Sequence, residues 1–585
     1  MADLRIEFSK KTRLFVILAI LVFAWHVLHV FSPTGGAFAF VPEQPVMSAE
    51  NLRPGMRGHM LTVLRGTEPV RLPIEIVSVI PHRGQHARHS IMIRLLPSEL
   101  NRIGRAAQGM SGSPVFVDGK LVGAVSMGWS FSDHQTVMVT PIDDMSRVFS
   151  WPDNPVRLGD VNLNFADFAN KVSRLTVSGL SGRTVEELQS TLGIPLDAAP
   201  HGAGGELPID TARFSPGEAI SVLLAWGDVE MSALGTVTAT SRDGRFLAFG
   251  HSFMERGAVN FPVARATVHE TIFSQVFPFK IGTPSAIVGT ATQDRANAVG
   301  GRMGYFTPSI AARFVFRDMD TGGGRVEKNF RVVPDAFLGA RLLAVIYSGL
   351  MDTQWGRRGE GTASVTLRVE GRDLLRGWTR SNVFFSHDIG RASVAEAASM
   401  IDMIMLQPFA NIYPIGFRLD VEVTSEPRVL SIEDVVVQQY AAPGDTLDVE
   451  VVLRPWRREP VRRRFELTIP ENATGNVELT VRGGGTNSLS QAALDGGWKS
   501  IDSLERLLTE MNASEANNEL ILELTYDREP RAANRRNELT QEEREFLSET
   551  KSRRIREGTL RISRADQVVD GLMRRRINLN ENSDE

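Results

Sequence analysis

The stretch from Gln108 to Val125 reads Gln-Gly-Met-Ser-Gly-Ser-Pro-Val-Phe-Val-Asp-Gly-Lys-Leu-Val-Gly-Ala-Val and sets Ser111 between Gly109 and Gly112. A serine attacks a carbonyl only where the chain turns sharply enough to leave its hydroxyl clear. Backbone N–H groups must also converge on the oxyanion that then develops. Glycine tolerates the φ values such a turn demands. After the loop the text gives a strand, a two-residue turn at Asp118-Gly119 and a second strand. The competing reading is a plain hairpin loop with two incidental serines.

Ser111 cannot act alone, because its hydroxyl has to lose a proton to a base, usually histidine, as it attacks. His82, His86 and His89 share one Arg-rich loop and read as solvated, and His134 lies in a polar turn. His59 begins a strand in the same β unit as Ser111. His251 follows Ala-Phe-Gly at the end of a strand, ahead of an apolar segment. His251 and His59 therefore remain as candidate bases. Other chemistries lack their residues. The chain has no cysteine, so no thiolate nucleophile, disulfide or Cys-based zinc site. It has no His-Glu-x-x-His run and no P-loop, and no cofactor is expected.

The elements that must position these residues are mostly strands. From Met47 to Phe149 short apolar/polar alternations separated by turn residues predict a barrel or sandwich. Val70–Val79, Ile91–Leu96 and Val137–Thr140 are its clearest strands, and Pro97–Arg105 reads as a short helix before the serine loop. A second β unit over 216–330 delivers His251 at the end of Phe246–Gly250. The chain thus divides into 1–39, a signal peptide or N-terminal anchor; 47–150, the first β unit; 151–215, a linker region; 216–330, the second β unit; 331–425, mixed α/β; 426–485, β-sandwich-like; and 486–585, charged and partly helical. Helices are expected at Thr184–Leu192, Val394–Met405, Ile501–Met511 and Gln541–Arg556. The Arg553-Arg554 and Arg574-Arg575-Arg576 clusters read as solvated helix faces, with binding to an acidic surface as the alternative.

Length allows several domains of about 100–200 residues each. A net charge of −4 gives no sign of a nucleic-acid partner. Lys10, Lys11 and Arg13 precede an apolar run from Leu14 to Phe31, then Ala37-Phe38-Ala39. This is the signal-peptide pattern and predicts export with cleavage after Ala39. Retention of the run as a membrane anchor is the alternative. Either way the body of the chain lies in the periplasm or cell envelope.

The Ser-Gly-x-Pro run followed by a hairpin is similar to the nucleophile segment of trypsin-like serine peptidases, which implies that the amides of Gly109 and Ser111 form an oxyanion hole. More specifically, Gln-Gly-Met-Ser-Gly-Ser-Pro-Val with Asp-Gly-Lys-Leu-Val-Gly-Ala-Val resembles the nucleophile segment of the SpoIVB (stage IV sporulation protein B) peptidase family. Ala233-Leu-Gly-Thr-Val-Thr and Arg245-Phe-Leu-Ala-Phe-Gly-His251 resemble the segment that holds that family's catalytic histidine. The resemblance spans roughly 47–305. It implies a mainly β fold with a chymotrypsin-like double β-barrel unit, Ser111 as nucleophile and His251 as general base. Two features depart from the family. Here the serine segment precedes the histidine segment, a rearrangement of two half-domains. The family's aspartate position falls at about Leu96, and no aspartate lies between Ile80 and Asp118. Asp294 is the candidate to orient His251, with a structural Asx turn as the alternative. The Gly55–Pro69 and Thr292–Arg295 text also resembles a group of exported bacterial proteins of this serine-first form.

Two functions follow as expectations. One is an exported serine endopeptidase acting on a protein or peptide substrate. The other is a catalytically inactive, peptidase-like scaffold of the cell envelope.

Overall fold

Alternating apolar side chains draw the N-terminal region into six strands, β1 (Arg57–Thr62), β2 (Val70–Pro81), β3 (His89–Leu95), β4 (Pro114–Val117), β5 (Lys120–Met127) and β6 (Thr136–Pro141). They close a barrel in the order β1-β2-β3-β6-β5-β4. Met60, Leu72, Ile74, Ile76, Ile91 and Ile93 fill its interior. Asp118 and Gly119 turn the β4–β5 hairpin with φ of 51° and 72°, the hand that suits twisted strands. The structure is a computed structural model. It describes residues 39–82, 88–99, 101, 104–153, 175–192, 196–198, 204–276, 278–372, 374, 377–485, 501–527, 551 and 553–579.

The next strands are β7 (Leu175–Ser178), β8 (Leu196–Ala198), β9 (Ala219–Gly227), β10 (Glu230–Thr240), β11 (Arg245–Ala248), β12 (Gly257–Ile272), β13 (Phe279–Arg295) and β14 (Ala298–Met303). With β15 (Ile310–Asp318), β16 (Val326–Val332), β17 (Gly361–Gly371), β18 (Trp378–Ser386) and β19 (Ile415–Thr424) they form one thirteen-stranded sheet. Within it β9 pairs with both β10 and β12, so β9-β10-β11-β14-β13-β12 makes a circuit of six antiparallel neighbours. In chain order both rings run first, second, third, sixth, fifth, fourth. The second ring does not stand free. Ala225, Trp226 and Gly227 at the end of β9 continue onto β16 and so to the rest of the sheet. Helices Ala336–Trp355 and Ile389–Leu406 share the core of this sheet.

At the C-terminus β20 (Val429–Val436), β21 (Tyr440–Ala441), β22 (Thr446–Pro455), β23 (Val461–Thr468) and β24 (Thr474–Gly483) find partners in β25 (Glu519–Asp527), β26 (Leu560–Arg564), β27 (Val568–Asp570) and β28 (Leu572–Leu579). They make sheets β23-β22-β20-β27 and β21-β28-β24-β25-β26 over one apolar core. Arg574, Arg575 and Arg576 lie on strand β28 rather than on a helix. Arg574 faces Glu478 and Arg575 faces Asp434.

The other expected helices occur at Gly182–Leu192 and Leu504–Ala513. Of the 541–556 segment, residues 551 and 553–556 are described and helical. The short helix expected over 97–105 is absent from its described residues. The Asn101 side chain takes the amides of Gly104 (3.0 Å) and Arg105 (3.1 Å) instead, the local competition that makes Asn a poor helix former. The N-terminal apolar run lies outside the described residues. Among those described, no helix is long and apolar enough to cross a membrane.

Arg183, at the start of helix Gly182–Leu192, bonds Asp352 (2.6 and 2.8 Å) and Asp388 (2.9 Å) and so ties three helices together. Removing it strands the Asp352 carboxylate, which is 6% exposed. Breaking a buried pair in this way costs about 3 kcal/mol. Arg183→Met is expected to lower the unfolding free energy of this part of the chain by that amount, measured by urea titration followed by circular dichroism.

Candidate active site

Ser111 and His251 occupy the same place in their two rings. Ser111 lies in the connection between the third and fourth strands of the first ring (β3 and β4). His251 lies between the third and fourth strands of the second (β11 and β12). Each loop is seated on the other ring. Gly112 (φ 91°) lies so close to β10 and the His251 turn that a Cβ there would meet the Thr236 carbonyl at 2.0 Å and the Phe249 amide nitrogen at 2.4 Å. Thr236 N donates to Ser111 O (2.8 Å), and Thr238 Oγ1 to Gly112 O (2.7 Å). In return Thr140 Oγ1 on β6 donates to Gly250 O (2.6 Å). A Cβ on Gly250 (φ 67°) would meet the Val125 carbonyl at 2.8 Å. Glycine is required at both positions by positive φ and by space.

Around Ser111 the backbone is mostly bonded. Met110 N donates to Ala107 O, Gly112 N to Val125 O and Ser113 N to Met110 O. The amides of Gly109 and Ser111 have no acceptor among the described residues, and the half-buried Ser111 hydroxyl has no partner there either. The Gly109 carbonyl accepts from Thr236 Oγ1 (3.0 Å) and Lys280 Nζ (3.2 Å).

Before His251 the chain bends through Phe249 and Gly250, both at positive φ (68° and 67°). For Phe249 this is a sparsely populated conformation, of the kind that clusters at functional sites. It persists because the Phe249 ring is fully buried over Gly235, whose added Cβ would lie 2.7 Å from the ring. The His251 ring stands edge-on to Phe249 at 6.1 Å. Its Nδ1 is 2.6 Å from the Ser252 carbonyl oxygen. A carbonyl can only accept, so Nδ1 carries the proton and Nε2 keeps its lone pair. Burial holds the imidazole below its ordinary pKa, against the opposing pull of that carbonyl.

Asp294, near the end of β13, is fully buried and sits behind the residues after His251. Its Oδ1 accepts from Phe253 N (2.6 Å), and its Oδ2 from Met254 N (2.7 Å) and Arg256 N (3.2 Å). Burial pushes its carboxyl up to about 6, partly offset by those amides. Arg256 then bonds Asp335 (2.8 Å), which caps helix Ala336–Trp355. Among the described residues no hydrogen bond joins Asp294 to the ring, and none joins Ser111 Oγ to His251 Nε2.

His59 pairs across the strands with Phe116 and stacks on it at 5.2 Å, while its neighbour Met60 points into the barrel. His82 bonds Ser90 (2.7 Å), and His134 is buried beside Ser132. His86 lies outside the described residues. Two groups at the site escape sequence reading. The Ser252 carbonyl is backbone, and Lys280 sits in strand text with no motif around it. Among the described residues no cluster of acidic and histidine side chains could hold a metal.

Residues 39–136 match the SpoIVB peptidase S55 family, a stretch that contains Ser111 and stops short of His251. No curated protein matches the chain.

The Gly112 contact gives a direct test. Gly119→Ala, at φ 72° with open space around it, should cost only the left-handed backbone penalty of about 1–2 kcal/mol. Gly112→Ala adds overlap with two backbone groups. It is expected to destabilise by clearly more than Gly119→Ala when the two are compared by thermal unfolding.

Proposed function

We propose that the chain is an exported serine endopeptidase built on two chymotrypsin-like β-barrels, with Ser111 as nucleophile and His251 as general base. The observation that carries this is the reciprocal seating of the two loops, each in the third-to-fourth connection of its ring, through Gly112 and Gly250. The family match over 39–136 supports the peptidase reading, and the N-terminal residue pattern supports a place outside the cytoplasm.

In this reading Ser111 Oγ attacks the carbonyl carbon of a substrate peptide bond while His251 Nε2 takes the hydroxyl proton. The negative charge that develops on the substrate oxygen falls to the amides of Gly109 and Ser111. His251 then gives its proton to the leaving amine as the C–N bond breaks. A water, deprotonated by the same nitrogen, releases the acyl group from Ser111. The Ser252 carbonyl does the work an orienting carboxylate often does, holding Nδ1–H so that Nε2 is the free base. Asp294 acts one step back, fixing the loop by its three amides.

Beside the serine loop the β5–β6 and β12–β13 connections meet where Phe131 N donates to Val276 O (3.0 Å). Trp129, Phe131, Phe273 and Val276 are exposed there. Such a patch suits apolar side chains of a polypeptide substrate.

The second reading, an inactive scaffold, is favoured by the missing Ser111–His251 hydrogen bond. Catalytic hydrogen bonds are often long or misaligned in free enzymes and tighten with substrate, so activity decides. Ser111→Ala is expected to abolish cleavage of an unfolded protein such as casein. His251→Ala should slow it about a hundred- to ten-thousandfold, with folding intact in both. Proteolysis that survives Ser111→Ala would overturn the assignment. Because the imidazole must be neutral to act and its pKa is lowered, kcat/KM should reach half its plateau below pH 6.5, the ordinary imidazole value.

A further inference from the structure

Lys280, the second residue of β13, is 7% exposed. Its Nζ donates to Thr62 Oγ1 on β1 (2.8 Å) and to the Gly109 carbonyl (3.2 Å). Its stem covers Gly109, whose added Cβ would meet Lys280 Cδ at 3.1 Å. Its backbone N donates to Gln108 O (3.0 Å), and Gln108 N donates to Pro278 O (2.8 Å). One lysine thus holds the carbonyls on both sides of Gly109. No described carboxylate forms an ion pair with it.

The titratable groups on the surrounding elements all lie elsewhere. On β1 they are Arg57 and His59, the latter stacked on Phe116. The serine loop has none between Arg105 and Asp118, and β10 has only Glu230 at its far end. On β12, Arg265 bonds Asp210, His269 bonds Thr283, and the exposed Glu270 accepts its neighbour's amide. Burying an ammonium with two neutral acceptors and no anion is costly, and burial pushes Lys280 down to about 7. A cost of this kind points to a task.

We propose that Lys280 is the positioning residue of the oxyanion-binding turn, fixing the two peptide planes that flank Gly109. In a trans peptide the C=O and N–H point in opposite directions. With the Gln108 carbonyl held on the β13 backbone, the Gly109 N–H must face away from β13. With the Gly109 carbonyl held by Nζ and Thr236 Oγ1, the next plane cannot flip into its place. This rests on the reading of Ser111 as nucleophile, but its structural half can be tested without activity.

Lys280→Met keeps the stem and removes the donor. Removing the buried amine relieves its desolvation but leaves the buried Thr62 Oγ1 without its donor, so the two effects oppose and the variant should unfold close to the wild-type temperature. Hydrogen exchange of the peptide spanning 106–113 should nonetheless quicken, with the rest of the barrel unchanged. Casein cleavage should lose at least about tenfold in kcat with KM unchanged. The pH dependence of stability should change too. Between about pH 7 and 10.5 the unfolded wild type binds a proton that the folded state does not, so wild-type stability rises with pH across that window. In Lys280→Met this contribution vanishes. Thr62→Val, which removes one Nζ acceptor, is the second variant, expected to quicken exchange in the same peptide to a smaller degree. Unchanged exchange at 106–113 in both variants would overturn the proposal, as would a kcat loss that merely tracks lost stability. If wild type and Ser111→Ala cleave equally, the peptidase reading fails by itself, and the exchange data still decide the role of Lys280.

Discussion

The site depends on one close approach, the Cα of Gly112 against the Thr236 carbonyl and the Phe249 amide. No side chain fits between them, so the serine loop and the histidine turn are in backbone contact. Gly250 makes the reciprocal approach to β5. Contacts of this kind define position far more tightly than side-chain packing, because backbone cannot choose another rotamer. Two rings that hydrogen-bond within themselves are thereby locked across their faces. The threonines at 140, 236 and 238 bond the carbonyls that the close approach leaves at the seam.

Electrostatically the site is unusual in relying on backbone dipoles. His251 takes its tautomer from the Ser252 carbonyl. The buried carboxylate behind the turn, Asp294, spends both oxygens on amides. A neutral carbonyl stabilises an imidazolium less than a carboxylate does, which is consistent with the lowered pKa of His251. Such a site favours a base that stays neutral over one that holds its proton strongly.

Much of this was legible in the sequence, and the reasons differ by element. The sharp glycine loop around Ser111 and the Asp118-Gly119 turn could be read because glycine and turn chemistry leave local marks. The place of His251 just after a strand could be read from the apolar run before it, which forms β11 (Arg245–Ala248). The ring order could not, since a period of two identifies strands without saying which strand lies beside which. Continuation of β9 into β16 was hidden for the same reason. The helix expected over 97–105 lost to a single side chain, Asn101, that captured two amides. Lys280 was silent because nothing about a lysine in strand text tells whether it points to water or to a carbonyl. The carbonyl of Ser252 has no sequence signature at all.

Catalysis as proposed requires that His251 activate Ser111 in a site formed by both rings. Reaction of the full chain with a fluorophosphonate probe, mapped by peptide mass analysis, tests this most directly, because the probe reacts with an activated serine and needs no knowledge of the substrate. A single adduct on Ser111, lost in His251→Ala, is the expected result. No adduct on Ser111, or an adduct that persists undiminished without His251, would contradict it.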